Sequence, residues 1–172
     1  TVDVRGPDWY ILGNIFRRGA TDNPGYGFST SASSDGTRIA IGDINNNGVN
    51  NAYTNTGAVS IYEWDSGTST WTQMGGYIYG EASADQSGCS VSLSSDGTRV
   101  AIGARYNDGV NGFDSGHTRI YEWNSGTSTW TQMGQDIDGE VSQDYFGWSV
   151  SLSSDGTRVA NGAIGNDANG SY

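Results

Sequence analysis

Apolar and small polar residues alternate over short stretches of the chain, and glycine-containing turns separate these stretches. In one of them Val91 and Leu93 alternate with serines, Gly97 follows in a turn, and residues 99–102 run back. Alternation with a period of two is typical of half-buried β-strands, and glycine supplies the positive φ that a tight turn requires. The pattern therefore predicts a β-hairpin.

Two further strands complete a unit of this kind. After a polar stretch at 105–116, residues 118–123 alternate again, and a turn at 124–128 leads to a fourth stretch at 129–133. Four antiparallel strands in a repeated unit are typical of a β-propeller blade. The predicted fold class is all-β, with tandem four-stranded blades of a propeller-like repeat.

The unit recurs about every sixty residues, because Ser-Ser-Asp-Gly-Thr-Arg occurs three times, with its aspartate at Asp35, Asp96 and Asp155. A longer segment with two tryptophans occurs twice, at Trp64 and Trp71 and at Trp123 and Trp130, and a fainter copy contains Trp9, Gly13 and Ile15. Recurrence at a fixed period indicates equivalent surroundings. The four tryptophans are therefore expected to pack between adjacent blades, and the alternative is exposed rings that stack on sugars.

The repeat divides the chain into four parts. Residues 1–25 are predicted to hold the last strand of a preceding blade, 26–87 and 88–146 to be blade repeats, and 147–172 to be the first hairpin of a further blade. Propellers close with roughly four to eight blades, so these parts form an incomplete ring with open strand edges. Further blades of the same chain, or other copies of the protein, are the partners expected at those edges.

Composition narrows the classes of function. The net charge of −11 repels nucleic acid and anionic membrane surfaces, so neither is an expected partner. No apolar stretch is long enough for a membrane helix, and Thr1 does not open a signal segment. The 27 glycines suit tight turns, and the aromatic residues, 12% of the chain, must supply much of the core.

The glycines of the repeat resemble those of FG-GAP repeats, which form the propeller of integrin α subunits. The signature is a Phe-Gly before the first strand and a Gly-Ala after the second, matched at Phe146-Gly147 and Gly162-Ala163, at Gly88 and Gly103-Ala104, and at Gly27 and Gly42-Asp43. Tyr26 and Ser87 replace the phenylalanine in the other copies. The resemblance implies an extracellular location, secreted or at the cell surface, an adhesive or scaffold role, and calcium-binding loops.

One loop has the spacing of a calcium site. Asp43, Asn45 and Asn47 place oxygen ligands at positions one, three and five before Gly48. Oxygen ligands in this spacing suit Ca²⁺, which is the only cofactor expected. Thr54 stands where a bidentate glutamate is wanted, and the aligned loops lack the first aspartate. These departures favour the alternative, a solvated turn rich in asparagine.

Two turns, at 65–71 and 124–130, resemble the Asp-box turns of sialidase propellers, which are structural even in those enzymes. A sialidase also needs a cluster of arginines, whereas Arg38, Arg99 and Arg158 occupy one repeated position and so fall on separate blades. Pairing or stacking within each blade is the role predicted for these arginines.

No group of residues in the sequence marks a catalytic site. His117 is the only histidine and aligns with Ala58, and a surface position is predicted because no nucleophile, base and orienting group lie together near it. Cys89 aligns with Phe28 and Trp148, so a buried structural thiol is predicted. A nucleophile, a base and an orienting group are not found together, and no enzymatic activity is expected.

Three functions follow from these observations. The first is a non-enzymatic extracellular structural or adhesive protein that associates through blade edges or faces, as a ring, a filament or part of a longer propeller. The second is a module that binds glycans or cell-surface proteins through the loops at 45–56 and 107–117, which differ between copies. The third is a glycosidase fragment, least favoured because no carboxylate pair stands out from the repeated acidic positions. A sequon at Asn169-Gly170-Ser171 suits a secreted glycoprotein.

Overall fold

The computed structural model describes residues 2–3, 10–13 and 24–167. Regular structure in these ranges is antiparallel β-sheet, apart from one 3-10 turn at Val49–Asn51. No helix within the described ranges is long and apolar enough to cross a membrane. Trp9 and Ile15 of the faint first copy, most of the predicted strand region 1–25, and the sequon at Asn169-Gly170-Ser171 lie outside the described residues.

The strands form two larger sheets between two small ones. A short pair, β1 (Val2–Asp3) and β2 (Tyr10–Ile11), comes first. Blade one consists of β3 (Tyr26–Ala32), β4 (Arg38–Asp43), β5 (Ala58–Asp65), β6 (Thr70–Gln73) and β7 (Ile78–Tyr79). Blade two consists of β8 (Ser90–Leu93), β9 (Arg99–Ala104), β10 (His117–Asn124), β11 (Thr129–Gln132) and β12 (Ile137–Asp138). Unit three is the hairpin of β13 (Phe146–Leu152) and β14 (Val159–Ala163).

The predicted all-β fold with four-stranded antiparallel units is confirmed. Hydrogen-bonded neighbours follow chain order, β3-β4-β5-β6 in blade one and, in reverse listing, β11-β10-β9-β8 in blade two. The ring is not closed by the described strands. One feature was not predicted: the outermost strand is interrupted, so that β7 and β12 continue along β5 and β10 as separate short strands. Gly75 and Gly134, with φ of 68° and 72°, lie at the two interruptions.

Glycines hold the units close together. Gly27, Gly88 and Gly147 have φ between 80° and 86°, and β3 is bulged at Gly27 and β13 at Gly147. Such backbone angles favour glycine strongly. On the facing strand a Cβ added to Gly103 would collide with the carbonyl oxygen of Gly147, and one added to Gly42 with that of Gly88. The two glycines of the repeat therefore form the contact between one unit and the next.

The core lies between blades one and two. Blade one contributes Ala40, Val59, Ile61, Met74 and Ile78, and blade two contributes Val91, Leu93, Val100 and Ile102. Trp123 and Trp130 are half-buried, and their rings pack against this core with their centroids 5.3 Å apart. Trp130 Nε1 donates a hydrogen bond across the boundary to the Met74 carbonyl oxygen at 3.0 Å. The predicted packing of these two tryptophans between blades is confirmed.

The repeated Ser-Ser-Asp-Gly-Thr-Arg segment forms the same turn in all three units. In the second copy the Asp96 carboxylate accepts hydrogen bonds from the Thr98 backbone N–H at 2.9 Å and from Ser94 Oγ at 2.7 Å, and these bonds lower the pKa of Asp96. Arg38 then pairs with Glu63 at 2.7 Å, and Arg99 with Glu122 at 2.8 Å. Pairing within the blade, as predicted, is confirmed for both arginines. Exposed pairs of this kind contribute about 1 kcal/mol or less.

Candidate functional site

Blades one and two have similar strand sequences, so positions where only one of them is charged stand out. Three uncharged positions of blade one carry titratable or charged side chains in blade two: His117 for Ala58, Arg119 for Ser60 and Asp136 for Tyr77. Glu81, from the segment that joins the two blades, contacts Arg119. We call Glu81, His117, Arg119 and Asp136 the interblade cluster.

Strand register explains why these residues meet. His117 and Arg119 lie opposite Ala104 and Ile102 in the pairing of β9 with β10. Side chains of paired residues point to the same face of a sheet. Because Ile102 belongs to the core between the blades, this face of blade two points toward blade one.

Arg119 is the centre of the interblade cluster. Its Nε and Nη2 atoms donate to the two carboxylate oxygens of Asp136 at 3.0 and 2.9 Å, and Nη2 also contacts Glu81. Gln132 Nε2 donates a further hydrogen bond to Asp136 Oδ1 at 2.6 Å. A two-fold arginine–carboxylate contact of this geometry fixes the carboxylate in position. The carboxylate of Asp136 is therefore oriented from two sides.

His117 is buried, so the predicted surface position is wrong. Only 1% of the residue is exposed, because it is the first residue of β10 and faces inward with Arg119. Its Nδ1 has no hydrogen-bond partner among the described residues and lies 3.6 Å from Asp136 Oδ2. The sequence did contain a signal: residues 117, 119 and 121 alternate in phase, and inward-facing Tyr121 fixes which face they share.

The stability of the protein should depend on pH through His117. Burial, and after it the Arg119 cation, lower the pKa of His117 from 6.5 to about 4. Between these values the unfolded chain binds a proton that the folded chain does not, so stability falls as the pH drops. We expect the free energy of unfolding in urea to fall by about 2 kcal/mol between pH 7 and pH 5. The buffer contains a chelator, so that metal ions do not affect His117.

The variant His117→Ala is the matched control for this pH dependence, because blade one has Ala58 at the same position. Its unfolding free energy should lack the pH-dependent loss assigned to His117. An equally steep decline in the variant and in the parent protein would show that other groups cause it.

The cluster also has the composition of a metal site. Glu81, His117 and Asp136 each offer one ligand atom, and these three atoms lie within 4.8 Å of one another. Calcium was predicted elsewhere, at Asp43, Asn45 and Asn47, and the sequence did not single out this group. Its members are separated by up to 55 positions in the chain, so local spacing could not reveal it.

The predicted calcium loop follows β4 and forms hydrogen bonds of its own. Asp43 is buried, and Asn46 Nδ2 donates to Asp43 Oδ2 at 3.3 Å. Asn47 Oδ1 accepts a hydrogen bond from the Asn55 backbone N–H at 3.1 Å, and Asn45 has a further contact. Calcium binding by Asp43, Asn45 and Asn47 stays a prediction.

A second charged group lies where three units meet. The guanidinium carbon of Arg105 lies 4.4 Å from the ring centroid of Trp148, 4.9 Å from that of Tyr106 and 5.6 Å from that of Phe28. Phe28 belongs to blade one and Trp148 to unit three, so the arginine of blade two lies between them. We call Phe28, Arg105, Tyr106 and Trp148 the arginine–aromatic cluster.

Two coordinated differences between repeats make this cluster. Cys89 occupies the position that is Phe28 in blade one and Trp148 in unit three, and Arg105 the position that is Ile44 or Ile164. Cys89 is buried, as predicted, and burial raises the pKa of its thiol, which disfavours the reactive thiolate. A smaller side chain at position 89 leaves room for the arginine, and the aromatic neighbours hold it.

Arg105 has hydrogen-bond donors left over. Its Nη2 donates to Gln86 Oε1 at 2.9 Å, but its buried Nε has no partner among the described residues. Within residues 24–167, Arg38, Arg99 and Arg119 each form an ion pair with a carboxylate, and Arg105 forms none. Phe28 and Trp148 beside it are 51% and 37% exposed. The guanidinium of Arg105 thus lies beside two partly exposed aromatic rings.

Comparison with known proteins bears on the fold. The chain matches no protein-family model and no curated protein sequence. Among solved structures it is similar to a periplasmic gluconolactonase of Pseudomonas aeruginosa, with 17% identity over 88% of this chain and 39% of that chain, at a TM-score of 0.49. It is also similar to the hydrazine synthase of Kuenenia stuttgartiensis, with 15% identity over 88% of this chain and 32% of that chain, at a TM-score of 0.48. A candidate 6-phosphogluconolactonase of Bacteroides fragilis is 14% identical over 77% of this chain and 27% of that chain, at a TM-score of 0.44.

These structures correct two predictions. A non-enzymatic structural or adhesive function, and the absence of enzymatic activity, were expected because the sequence shows no catalytic motif. Two of the similar structures are named as lactonases, and this finding counts against both expectations. At these identities the similarity concerns the fold, and the chain spans about a third of the length of the structures it matches. The antiparallel four-stranded sheets give the chain a propeller-type all-β fold.

Proposed function

We propose that this chain forms part of the substrate-binding cleft of a β-propeller enzyme that acts on a small anionic compound containing a sugar-like ring. The observation that carries the proposal is Arg105, whose guanidinium lies between Phe28 and Trp148 without a carboxylate partner in the described part of the chain. In this proposal, the described residues form only part of the enzyme's active site.

The chemistry of arginine selects an anion. A guanidinium is planar and permanently charged, and it donates paired hydrogen bonds to phosphate or carboxylate oxygens. The protein as a whole has a net charge of −11, which repels anions in general. An anionic substrate is therefore held only where a specific cation is available, and Arg105 offers one.

The aromatic neighbours favour a ring. Phe28 and Trp148 expose part of their side chains beside the guanidinium. An aromatic face packs well against the apolar face of a sugar ring, while polar groups nearby bind its substituents. A phosphorylated or carboxylated sugar derivative satisfies both features, and its ring would lie on Trp148 with its anionic group on Arg105.

The variant Arg105→Ile tests the binding step, because isoleucine occupies this position at Ile44 and Ile164 and is compatible with the fold. Calorimetric titration with 6-phosphogluconate should show affinity lowered at least about tenfold, the loss of one charge-assisted contact. Arg158→Ile, which changes the charge equally at an exposed position, should bind as the parent does. Equal affinity in the Arg105→Ile variant contradicts the proposal.

Hydrolysis of a lactone is the reaction to assay, with gluconolactone and 6-phosphogluconolactone as probes. These are the compounds in the names of two of the similar structures. Turnover above the rate in buffer, with KM raised in the Arg105→Ile variant, supports the proposed enzyme. If the complete protein binds the phosphorylated sugar tightly but turns over no lactone or ester, the site is a binding site only, and the enzymatic part of the proposal is contradicted.

We also infer that the repeats are related to FG-GAP repeats, with an extracellular location and further blades or other copies completing the ring. The support is the paired glycines, since Gly42 and Gly103 allow the close contacts to Gly88 and Gly147. Native mass spectrometry of the protein from its source would measure chain length and copy number. Calcium titration of the parent and of Asp43→Asn would test the loop.

A further inference from the structure

We propose that Glu81, His117 and Asp136 bind a divalent transition-metal ion between blades one and two, with Arg119 positioning the two carboxylates. This inference concerns the interblade cluster and is independent of the function proposed for Arg105. Three ligand atoms within 4.8 Å of one another are compatible with one shared ion.

The buried imidazole points to a ligand. His117 Nδ1 is enclosed in the structure and has no hydrogen-bond partner among residues 24–167. Leaving a buried polar atom without a partner costs about 1 to 3 kcal/mol. The same strand position in blade one is filled by Ala58, so the blade does not need a histidine there. A bound ion would satisfy the nitrogen.

The donor set indicates which ion. One neutral imidazole nitrogen and two carboxylate oxygens match the ligands of zinc and related ions, which commonly keep a fourth position for water or substrate. Calcium prefers oxygen ligands alone. Glu81 is half-exposed, which provides a route for the ion from solvent.

Arg119 has a supporting role in this arrangement. It holds both oxygens of Asp136 and contacts Glu81, so it orients the two carboxylates as hydrogen-bonded neighbours of metal ligands usually do. When the imidazole of His117 is neutral, the two carboxylates and the single guanidinium give the cluster a net charge of −1. This net negative charge attracts a divalent cation.

The test is titration of the metal-free 172-residue chain with ZnCl₂ in a calorimeter. We expect one ion per chain, with affinity lowered at least about a hundredfold in His117→Ala and in Asp136→Asn. Arg119→Ser introduces the residue of blade one, Ser60, and should lower affinity about tenfold, because the two carboxylates lose the guanidinium that positions them. Circular dichroism checks that each variant is folded.

Two further measurements separate this site from adventitious surface binding. Glu140 follows β12 at the same distance as Glu81 follows β7, so the two glutamates are equivalent in the repeat. Glu140→Gln is therefore the matched control and should bind zinc as the parent does. Co²⁺ in place of zinc should give visible absorption bands of a nitrogen-ligated ion that are lost in His117→Ala. No stoichiometric zinc binding by the parent, or unchanged binding and spectra in His117→Ala, would overturn the proposal.

Discussion

Replacing Gly103 by alanine is expected to lower the free energy of unfolding by more than about 3 kcal/mol. The added methyl group would collide with the carbonyl oxygen of Gly147 and with Ser90 Oγ. Gly147 lies in the bulge of β13, and Ser90 is the first residue of β8. The Gly103 carbonyl oxygen also accepts a hydrogen bond from the Gly88 N–H at 2.9 Å. Neither partner can move without opening the contact between blade two and unit three.

Gly76→Ala is the matched control, since a Cβ at Gly76 meets no atom within 4 Å. Urea unfolding of the two variants beside the parent measures the difference directly. We expect Gly76→Ala to change stability by no more than about 0.5 kcal/mol. If Gly103→Ala were equally mild, the close approach of neighbouring units would not be a determinant of the fold.

The second large effect is expected from Trp130→Ala, which should cost about 3 kcal/mol, toward the lower end for loss of an aromatic residue because the side chain is half-buried. The substitution removes the ring that packs on Trp123 and borders the core of blades one and two. It also leaves the Met74 carbonyl oxygen without the hydrogen bond from Trp130 Nε1.

Trp130→Phe divides this effect into its parts. Phenylalanine keeps most of the apolar surface and removes the indole N–H, so a loss of about 1 kcal/mol is expected for the hydrogen bond. The measurement is again the free energy of unfolding in urea. A cost below about 1 kcal/mol for Trp130→Ala would place the ring on the surface and contradict the interblade packing.

Both candidate sites occur where the repeat symmetry is broken. The interblade cluster replaces Ala58 and Ser60 with His117 and Arg119, and the arginine–aromatic cluster replaces Ile44 with Arg105. Differences in charge between aligned units therefore singled out both candidate sites in this chain.

Much of the fold was predictable from local pattern. Alternating residues such as Val91 and Leu93 define strands, and the Ser-Asp-Gly turns define hairpins, because both depend on neighbours in sequence. The burial of Cys89 was predictable from the aromatic residues aligned with it. The interruption of the outer strand at Gly75 was missed, since nothing local distinguishes that glycine from one in a turn.

The candidate sites were less predictable. Glu81 and Asp136 are far apart in sequence, and Arg119 brings them together only once blade one has docked on blade two. His117 was predicted at the surface because no catalytic partners lie near it in sequence, but sequence neighbours do not show which face of its strand is covered. The same holds for Arg105, whose aromatic neighbours Phe28 and Trp148 come from two other units.

By itself the sequence determined the period of the repeat, the hairpins and the turn residues, because strand alternation and glycine conformations are properties of short segments. Only the tertiary structure decided which side chains meet across the boundaries between units. It showed that Gly103 is a glycine for reasons of space, and that His117 is enclosed beside two carboxylates. Those contacts depend on how sheets pack on one another, which no segment of the chain encodes alone.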